Sequence, residues 1–379
     1  MEFSIDRSLF LEGLEKTLSV VEKRNTMPSL NHALIDIKED QLHISATDLE
    51  IFVSASVPCK VTESGRIALP ARSLYDIVKE SQSDEIKIRG LENNRAEIKS
   101  GKSLFKLMGL SADDFPHFKT SPKGQLSTGR LKVQEFLKLI QKTEHCICHE
   151  EYRYALTGIH IETIADDVNN PGKTFLRAVA TDGHRLALME TPVEKLGNVK
   201  LTKGMIIPRK GAIELRKLLE STNEEEFELT CDENLIRVNL GRFKIWIRPL
   251  DAEYPDYRRV LPGELPNKFF CRKSDLSSAL KRMSLLVSDR SRVVAFGFQK
   301  ERLELSTQNP ELGEATDEIS GDFTGNSVKA GFNVRFFSEA LNNFSDEKLI
   351  VHTGEALQPA LLKAPGDEGL TIVIMPMRL

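Results

Sequence analysis

Asp182, His184 and Arg185 bring a carboxylate, an imidazole and a guanidinium within four residues, inside the run Ala180-Thr181-Asp182-Gly183-His184-Arg185-Leu186-Ala187-Leu188. Such a trio could transfer protons or orient a polar ligand. The run offers no obvious activated nucleophile, and Asp182-Gly183 reads as a turn feeding an apolar strand. A pocket wall fits these residues better than an acid–base centre. A second concentration of chemistry is His145-Cys146-Ile147-Cys148-His149, with four zinc-capable side chains in five residues. Structural zinc sites draw ligand pairs from separated segments, and adjacent residues on a strand point to opposite faces. No metal is assigned there.

The elements that must carry these residues belong to a soluble globular chain. Of 379 residues, 40% are hydrophobic and 28% charged, which gives no compositional case for disorder. No apolar run approaches the roughly 18 residues of a membrane span. The start, Met1-Glu2-Phe3-Ser4-Ile5-Asp6, is unlike a secretory signal. Five scattered cysteines, an odd number, argue against a disulfide framework. A cytoplasmic location is expected. The net charge of -4 excludes a generic polyanion binder but not a segregated basic surface.

One order of elements occurs three times. A helix from about Arg7 to Val21, N-capped by Asp6, carries the stripe Phe10, Leu11, Leu14, Leu18 and Val21. Alternating strands follow at 33–37, 41–45 and 51–53. A second helix bears Leu74, Ile77 and Val78, with Pro70 expected in its first turn. The acidic break Ser83-Asp84-Glu85 then leads into short strands as far as Phe115-Pro116. The second pass has a helix stripe of Val133, Phe136, Leu137 and Ile140, strands around 156–159 and 178–180, and a helix with Ala212, Leu215, Leu218 and Leu219. It closes after the break Glu224-Glu225-Glu226. The third has Leu276, Leu280, Met283 and Leu286 on one helix, and Phe336, Phe337, Ala340, Leu341 and Phe344 on another capped by Asn333. The period of about 125–135 residues is too long for a solenoid, so each copy is expected to be an α+β domain of two helices and two small antiparallel sheets. Ala46-Thr47-Asp48 and Ala180-Thr181-Asp182 occupy matching places, whereas Gly183-His184-Arg185-Leu186 has no counterpart after Asp48 and is read as an addition particular to the second copy.

Basic residues recur on the helices while acidic clusters fall in the turns. If the helices share one side, that side is positive and would bind phosphate without reading sequence. The candidates are Lys23, Arg24, Arg72, Lys79, Lys138, Lys142, Lys210, Lys217, Lys281 and Arg282.

With the triplication established, three further motifs join the Ala180–Leu186 run. They are Arg153-Tyr154-Ala155-Leu156-Thr157-Gly158, the segment from Tyr254-Pro255 to Leu261-Pro262, and the terminal Met375-Pro376-Met377-Arg378-Leu379. Together they resemble the bacterial DNA polymerase III β subunits, the sliding clamps, over the whole chain. The resemblance implies a DNA-clamp fold of three domains, 1–123, 124–252 and 253–379. It also implies a head-to-tail homodimer closing a six-domain ring around double-stranded DNA, with no catalysis of its own. Such a ring serves processive DNA replication and DNA repair by tethering the polymerase III catalytic subunit, the clamp loader, other polymerases and repair proteins through short peptides with Gln and apolar anchors. No Gly-rich Lys-Ser/Thr phosphate loop occurs, in keeping with a separate ATP-driven loader.

Carried over residue by residue, the resemblance implies a peptide pocket of Leu156, Thr181, Gly183, His184, Arg185, Leu186, Pro255, Arg259, Val260, Leu357, Pro359, Val373, Met375, Pro376 and Met377. Leucine, valine and methionine would make a plastic apolar cleft, and arginines would orient the peptide's polar groups. Ser291 replaces a bulky apolar residue at the pocket edge, and Glu150 replaces a neutral or basic DNA-facing group. Arg24 matches a basic DNA-facing position. At the ring seam, Ser103, Leu104, Phe105 and Leu107 on an edge strand should meet the partner's third domain, where Leu285 and Leu286 supply apolar contacts.

Overall fold

The computed structural model describes residues 1–21, 27–116, 126–166, 172–193, 201, 204–287 and 292–379. Lys23, Arg24 and Ser291 lie outside these residues. The first copy opens with β1 (Glu2–Asp6), α1 (Arg7–Leu18), β2 (His32–Lys38), β3 (Gln41–Thr47) and β4 (Ile51–Pro58). It continues with β5 (Lys60–Glu63), β6 (Gly65–Pro70), α2 (Ala71–Glu80), β7 (Glu85–Leu91), β8 (Arg95–Ser100) and β9 (Ser103–Met108). The second copy has β10 (Ser127–Lys132), α3 (Val133–Thr143), β11 (Gly158–Asp166), β12 (Lys173–Thr181) and β13 (Arg185–Pro192). Then come β14 (Met205–Pro208), α4 (Arg209–Glu220), β15 (Glu226–Asp232), β16 (Leu235–Leu240) and β17 (Phe243–Ile247). The third has β18 (Asn267–Arg272), α5 (Lys273–Met283), β19 (Val293–Gln299), β20 (Arg302–Asn309), β21 (Gly313–Ser320) and β22 (Asp322–Thr324). It ends with β23 (Val328–Asn333), α6 (Val334–Leu341), β24 (Lys348–Thr353), β25 (Ala360–Lys363) and β26 (Leu370–Ile374).

Local chemistry sets these boundaries. Asp6 caps α1 by accepting from the N–H groups of Ser8 and Leu9, and Asn333 caps α6 by accepting from Arg335 N–H. The first residue of each first helix donates its N–H to the loop before the matching strand: Arg7 to Asp84 O, Val133 to Glu225 O and Lys273 to Glu347 O. That recurrence shows the three copies to be one structural unit. Some boundaries differ from the sequence reading. α1 stops at Leu18, so Val21 packs from the following loop, and Leu286 lies in the turn after α5. Pro70 precedes its helix as the extended last residue of β6, paired with His32, because it can accept but not donate in the ladder. Leu156 ends a short 3-10 segment, Glu151–Leu156, rather than starting a strand.

The described residues form two compact units, built chiefly from Met1–Gln134 with Ile213–Pro249, and from Glu135–Glu194, Leu201–Ala212 and Leu250–Leu379. The first holds a five-stranded sheet, β5-β1-β7-β8-β9, and an eight-stranded sheet, β10-β15-β16-β17-β4-β3-β2-β6. The second holds a nine-stranded sheet, β14-β11-β12-β13-β26-β25-β24-β18-β22, and a four-stranded sheet, β21-β20-β19-β23. Each large sheet is therefore two small sheets from neighbouring copies fused at one antiparallel joint. β4 meets β17 from Ile51↔Ile247 to Ala55↔Phe243, and β13 meets β26 from Arg185↔Ile374 to Met189↔Leu370. Fusion hides edge strands that would otherwise template aggregation. Among the described residues no helix is long and apolar enough to cross a membrane.

Candidate functional site

The turn that carries Asp182 to Arg185 is held by its own side chains. Thr181 Oγ1 donates to Arg185 O at 2.7 Å and accepts from Gly183 N, while Asp182 Oδ1 accepts from the N–H groups of His184 and Arg185 at 2.9 and 3.0 Å. The first copy repeats this bond for bond. Thr47 Oγ1 donates to Ile51 O at 2.8 Å and accepts from Leu49 N, and Asp48 Oδ1 accepts from Glu50 N and Ile51 N. Gly183 at φ 85° is matched by Leu49 at φ 82°. Gly183-His184-Arg185 thus has a conformational counterpart after Asp48, which sequence comparison missed because only Thr and Asp make the bonds. Gly183 suits this turn because its φ of 85° is one that L side chains rarely adopt; a Cβ there would also come within 2.8 Å of Arg153 Nη1, the movable end of a long side chain.

Beyond the turn, strand register sorts the proposed pocket residues by face. Thr181 pairs with Leu186, Leu186 with Val373 and Val373 with Leu361. Side chains alternate along strands, so these share a face with Val179 and Leu188. Val179, Leu186, Leu188 and Val373 form a buried cluster with Tyr257, against which Tyr254 and Leu261 pack. Leu186 and Val373 are wholly buried; they make the floor. Thr181, opposite Leu186, and Met375, two residues beyond Val373, are half-buried, as is Leu156. Pro359 precedes Ala360, the residue opposite Ile374, and so falls beside Met375. Val260 and Leu357 are exposed, at 40% and 67%, as is Pro255. His184 stacks on Phe336 of α6, with ring centroids 6.3 Å apart. Phe336, assigned above to a core stripe, is thus rim as well as core.

Arg185 does not play the role expected of it. Its side chain is 7% exposed, paired with Asp182 at 3.0 Å and with Glu339, and lies 4.5 Å over the Phe336 ring. It anchors the turn to α6 from the opposite face and has no charge left for a peptide. Arg259 suits that role better: it is 84% exposed, with Asp256 3.1 Å from its Nε.

A buried polar network fixes the segment bearing Pro255, Arg259 and Val260. Glu162, Arg177 and Glu190 stand in one row across β11, β12 and β13. Tyr257 Oη donates to Glu162 Oε1 and accepts from Arg177 Nη1 at 2.8 Å; Arg177 Nε reaches Glu190 at 2.6 Å, and Arg258 reaches both Glu162 oxygens at 3.1 Å. Burial alone would raise the Glu162 pKa, but His160 at 3.9 Å, the hydrogen bond from Tyr257 and the Arg258 charge hold it at about 2. Burial, with the bond to Glu162, pushes Tyr257 up to about 12. None of these anchors was legible from motif spacing.

The His145–His149 run lies beneath the turn. Burial first, then the Arg185 charge, hold His145 down at about 4, and burial pushes the Cys146 thiol far up, the reverse of what a thiolate ligand needs. Among the described residues, no group of three or more His, Cys, Asp or Glu is placed to hold a metal.

The basic candidates divide. Arg72, Lys79 and Lys281 are exposed, and Lys138 and Lys210 half-buried. Lys217 pairs with Glu214 at 2.9 Å yet stays 53% exposed. Arg282 is tied to Asp317 of β21 at 2.6 Å. Glu150 accepts from Tyr152 Oη and pairs with Arg153. Lys142 is a correction. It is 14% exposed and donates to Asn343 O, to Ser345 Oγ at 3.2 Å and to Asp367 at 3.4 Å. Burial pushes Asp367 up, but the N–H groups of Asp346 and Ser345 and the lysine reverse this, so its pKa lies below the usual range. Lys142→Met is expected to cost about 3 kcal/mol in urea unfolding and to leave the salt dependence of DNA retention unchanged. Unchanged stability with weaker DNA retention would return Lys142 to the DNA-facing set.

Three α+β copies fused edge to edge define a DNA-clamp fold. Family models for the DNA polymerase III β subunit match in order: the N-terminal domain at residues 1–119, the central domain at 130–256 and the C-terminal domain at 258–378. Among curated relatives, the beta sliding clamp of Caulobacter vibrioides (strain NA1000 / CB15N) is 34% identical over 383 residues, and that of Pseudomonas putida 33% identical over 382, each match covering 100% of both chains. Among solved structures, Caulobacter crescentus pol III beta superposes with a TM-score of 0.93 at 33% identity, covering 100% of both chains. A Bartonella birtlesii sliding clamp bound to griselimycin gives 0.92 at 33%, again covering 100% of both. The chain belongs to the DNA polymerase III β subunit family. It is a sliding clamp, a processivity factor of DNA replication without catalysis of its own.

Proposed function

We propose that two chains close head to tail into a ring around duplex DNA, each divided into domains at 1–123, 124–252 and 253–379. The carrying observation is the recurring joint. β4 and β13 are equivalent strands, and each pairs with the last strand of the next copy, β17 or β26. The remaining members of the two series, β21 and β9, end their sheets. The hairpins into β9 and β17 both turn on two residues, Gly101-Lys102 and Gly241-Arg242, which equates Ser103 with Phe243. The pairings Lys38↔Gln41↔Pro58 and Gln299↔Arg302↔Ser320, each across the same two-residue turn, equate Pro58 with Ser320 and so Val53 with Ala315. Transferring the β4–β17 register sets Gly313 opposite Leu107, Glu314 opposite Lys106 and Ala315 opposite Phe105. Exposed apolar groups cluster there: Leu104 at 54%, Phe105 at 39%, Met108 at 69% and Leu285 at 76%. Leu286 is half-buried.

The cationic candidates other than Lys142, Lys23 among them, would face the DNA, and Arg24 joins them on the family resemblance. Weak phosphate contacts would hold the duplex without stopping movement. The face at the second joint would take short peptides of the polymerase III catalytic subunit, the clamp loader and other polymerases and repair proteins, in the cytoplasm. Apolar anchors would sit over Leu186 and Val373, with polar groups against His184, Arg259 and free backbone. Fluorescence anisotropy with a labelled peptide carrying Gln, Leu and Phe tests this. His184→Ala and Met375→Ala should each weaken binding about tenfold while sedimentation still shows a dimer; normal affinity rejects the pocket. Encirclement is tested by loading the protein on nicked circular DNA and then linearising the circle. Retention that survives cutting would sink the ring.

A further inference from the structure

β26 stops at Ile374, and the chain then steps from the nine-stranded sheet to the four-stranded one. Met375 N–H donates to His184 O at 2.9 Å, and Met377 N–H donates to Gly331 O at 2.8 Å. Between them Pro376 has no N–H, so the ladder cannot continue. Met377 pairs with Gly331 as a lone antiparallel bridge, and β23, which carries Gly331, ends the four-stranded sheet. The segment 375–377 is thus a strap fastened at both ends, and its middle is a wall of the proposed peptide pocket.

Gly331 is not among the residues of positive φ, so its conformation would suit any residue. Space would not. A Cβ there would lie 2.6 Å from Met377 O, 2.9 Å from Leu379 Cδ2 and 3.2 Å from Leu379 Cγ, where ordinary contact begins near 3.4 Å. The backbone oxygen is the closest of these and cannot rotate away. On its other side Gly331 pairs with Ala295 within the ladder, so the glycine itself has nowhere to retreat.

We propose that Gly331 is a positioning residue for peptide binding: its bare Cα seats the strap and sets how deeply Met375 and Met377 reach over the Leu186–Val373 floor. The proposal rests on the pocket reading above. Gly331 acts through the strap and touches no peptide. A methyl group at this position would lift Met377 and, through Pro376, tilt Met375 away from Pro359 and His184. Sites loosened by about an ångström lose binding without losing the fold.

The test is a double-mutant cycle between Gly331→Ala and a chain ending at Pro376, with the labelled Gln-Leu-Phe peptide as probe. Gly331→Ala should weaken binding about tenfold in the full chain. In the shortened chain, where the atoms it strikes are gone, it should change affinity by less than about twofold. Equal loss in both backgrounds would mean that the methyl acts through the fold, and wild-type affinity for Gly331→Ala in the full chain would mean no effect on the wall; either overturns the proposal. Hydrogen exchange at the Met377 amide is the second readout, expected to lose protection in Gly331→Ala. It decides the matter if the shortened chain binds too weakly to measure, and retained protection overturns the seat. Failure of the unaltered chain to bind the peptide would instead overturn the pocket reading, leaving the exchange measurement to test the seat alone.

Discussion

Replacing Leu104 and Phe105 together by aspartate is expected to turn the dimer into a monomer at micromolar concentration, seen by sedimentation velocity. Both side chains are more than a third exposed on an edge strand, so the isolated chain should fold as before. In the inferred seam, Phe105 lies on the inward face opposite Ala315 and would be desolvated, which makes it an anchor of the contact. Burying the carboxylate at position 105 without a partner costs several kcal/mol, enough to weaken association by about a thousandfold, and the one at 104 removes an exposed apolar contact on the other face. Retention on circular DNA should disappear with the dimer. A double variant that still sediments as a dimer would move the seam away from β9.

Glu162→Gln should lower stability at neutral pH by about 3 kcal/mol, and the deficit should vanish in acid. The sign follows from the carboxyl's depressed pKa. Its folded value of about 2 lies below the ordinary 4.5, so its stabilisation is complete above pH 4.5 and is lost as pH falls through about 2. About 2.5 units at 1.36 kcal/mol each give about 3 kcal/mol. Below pH 2 a protonated Glu162 resembles glutamine, and the two unfolding curves should converge. Glu162 is 5% exposed, so solvent screening should take little from this figure. Urea titrations at pH 7, 4 and 2 supply the check; a gap constant with pH would show that the loss comes from packing. Peptide affinity should fall in the same variant, because Tyr257 holds the segment that carries Arg259 and Val260.

The triplication was legible because helix stripes and acidic breaks are local and repeat with the chain. Leu74 and Val78, Leu215 and Leu219, and Leu276 and Leu280 are all buried where that pattern put them. The docking turn was half legible: Thr181 and Asp182 announce the conformation, but the identical turn at Thr47 and Asp48 has no sequence match beyond them. Charge roles were the least legible. Arg185 looks like a ligand-binding group until Glu339, 154 residues away, is found beside it. Lys142 looks solvated until Asn343 and Asp367 are found around it. Periodicity shows which face of an element is apolar, but it cannot show which distant partner neutralises a charge. For the same reason the two joints were invisible, since β4 and β17 lie almost 200 residues apart and pair through backbone groups that every residue has.

Across the three series of edge strands, one outward position changes character. In the first joint it is the pair Phe52 and Trp246, with rings in edge contact at 5.1 Å. In the second it is Leu186 and Val373. In the inferred seam it is Glu314 and Lys106. Covalent continuity already keeps the first two pairs together, so apolar contact serves there. The seam has to choose its partner from solution, and opposite charges reject the wrong choice: β9 on a second β9 would bring Lys106 near its own copy, and β21 on β21 would do the same for Glu314. Salt screens only this position of the three. Rising ionic strength should therefore loosen closure between chains while leaving both joints within a chain intact.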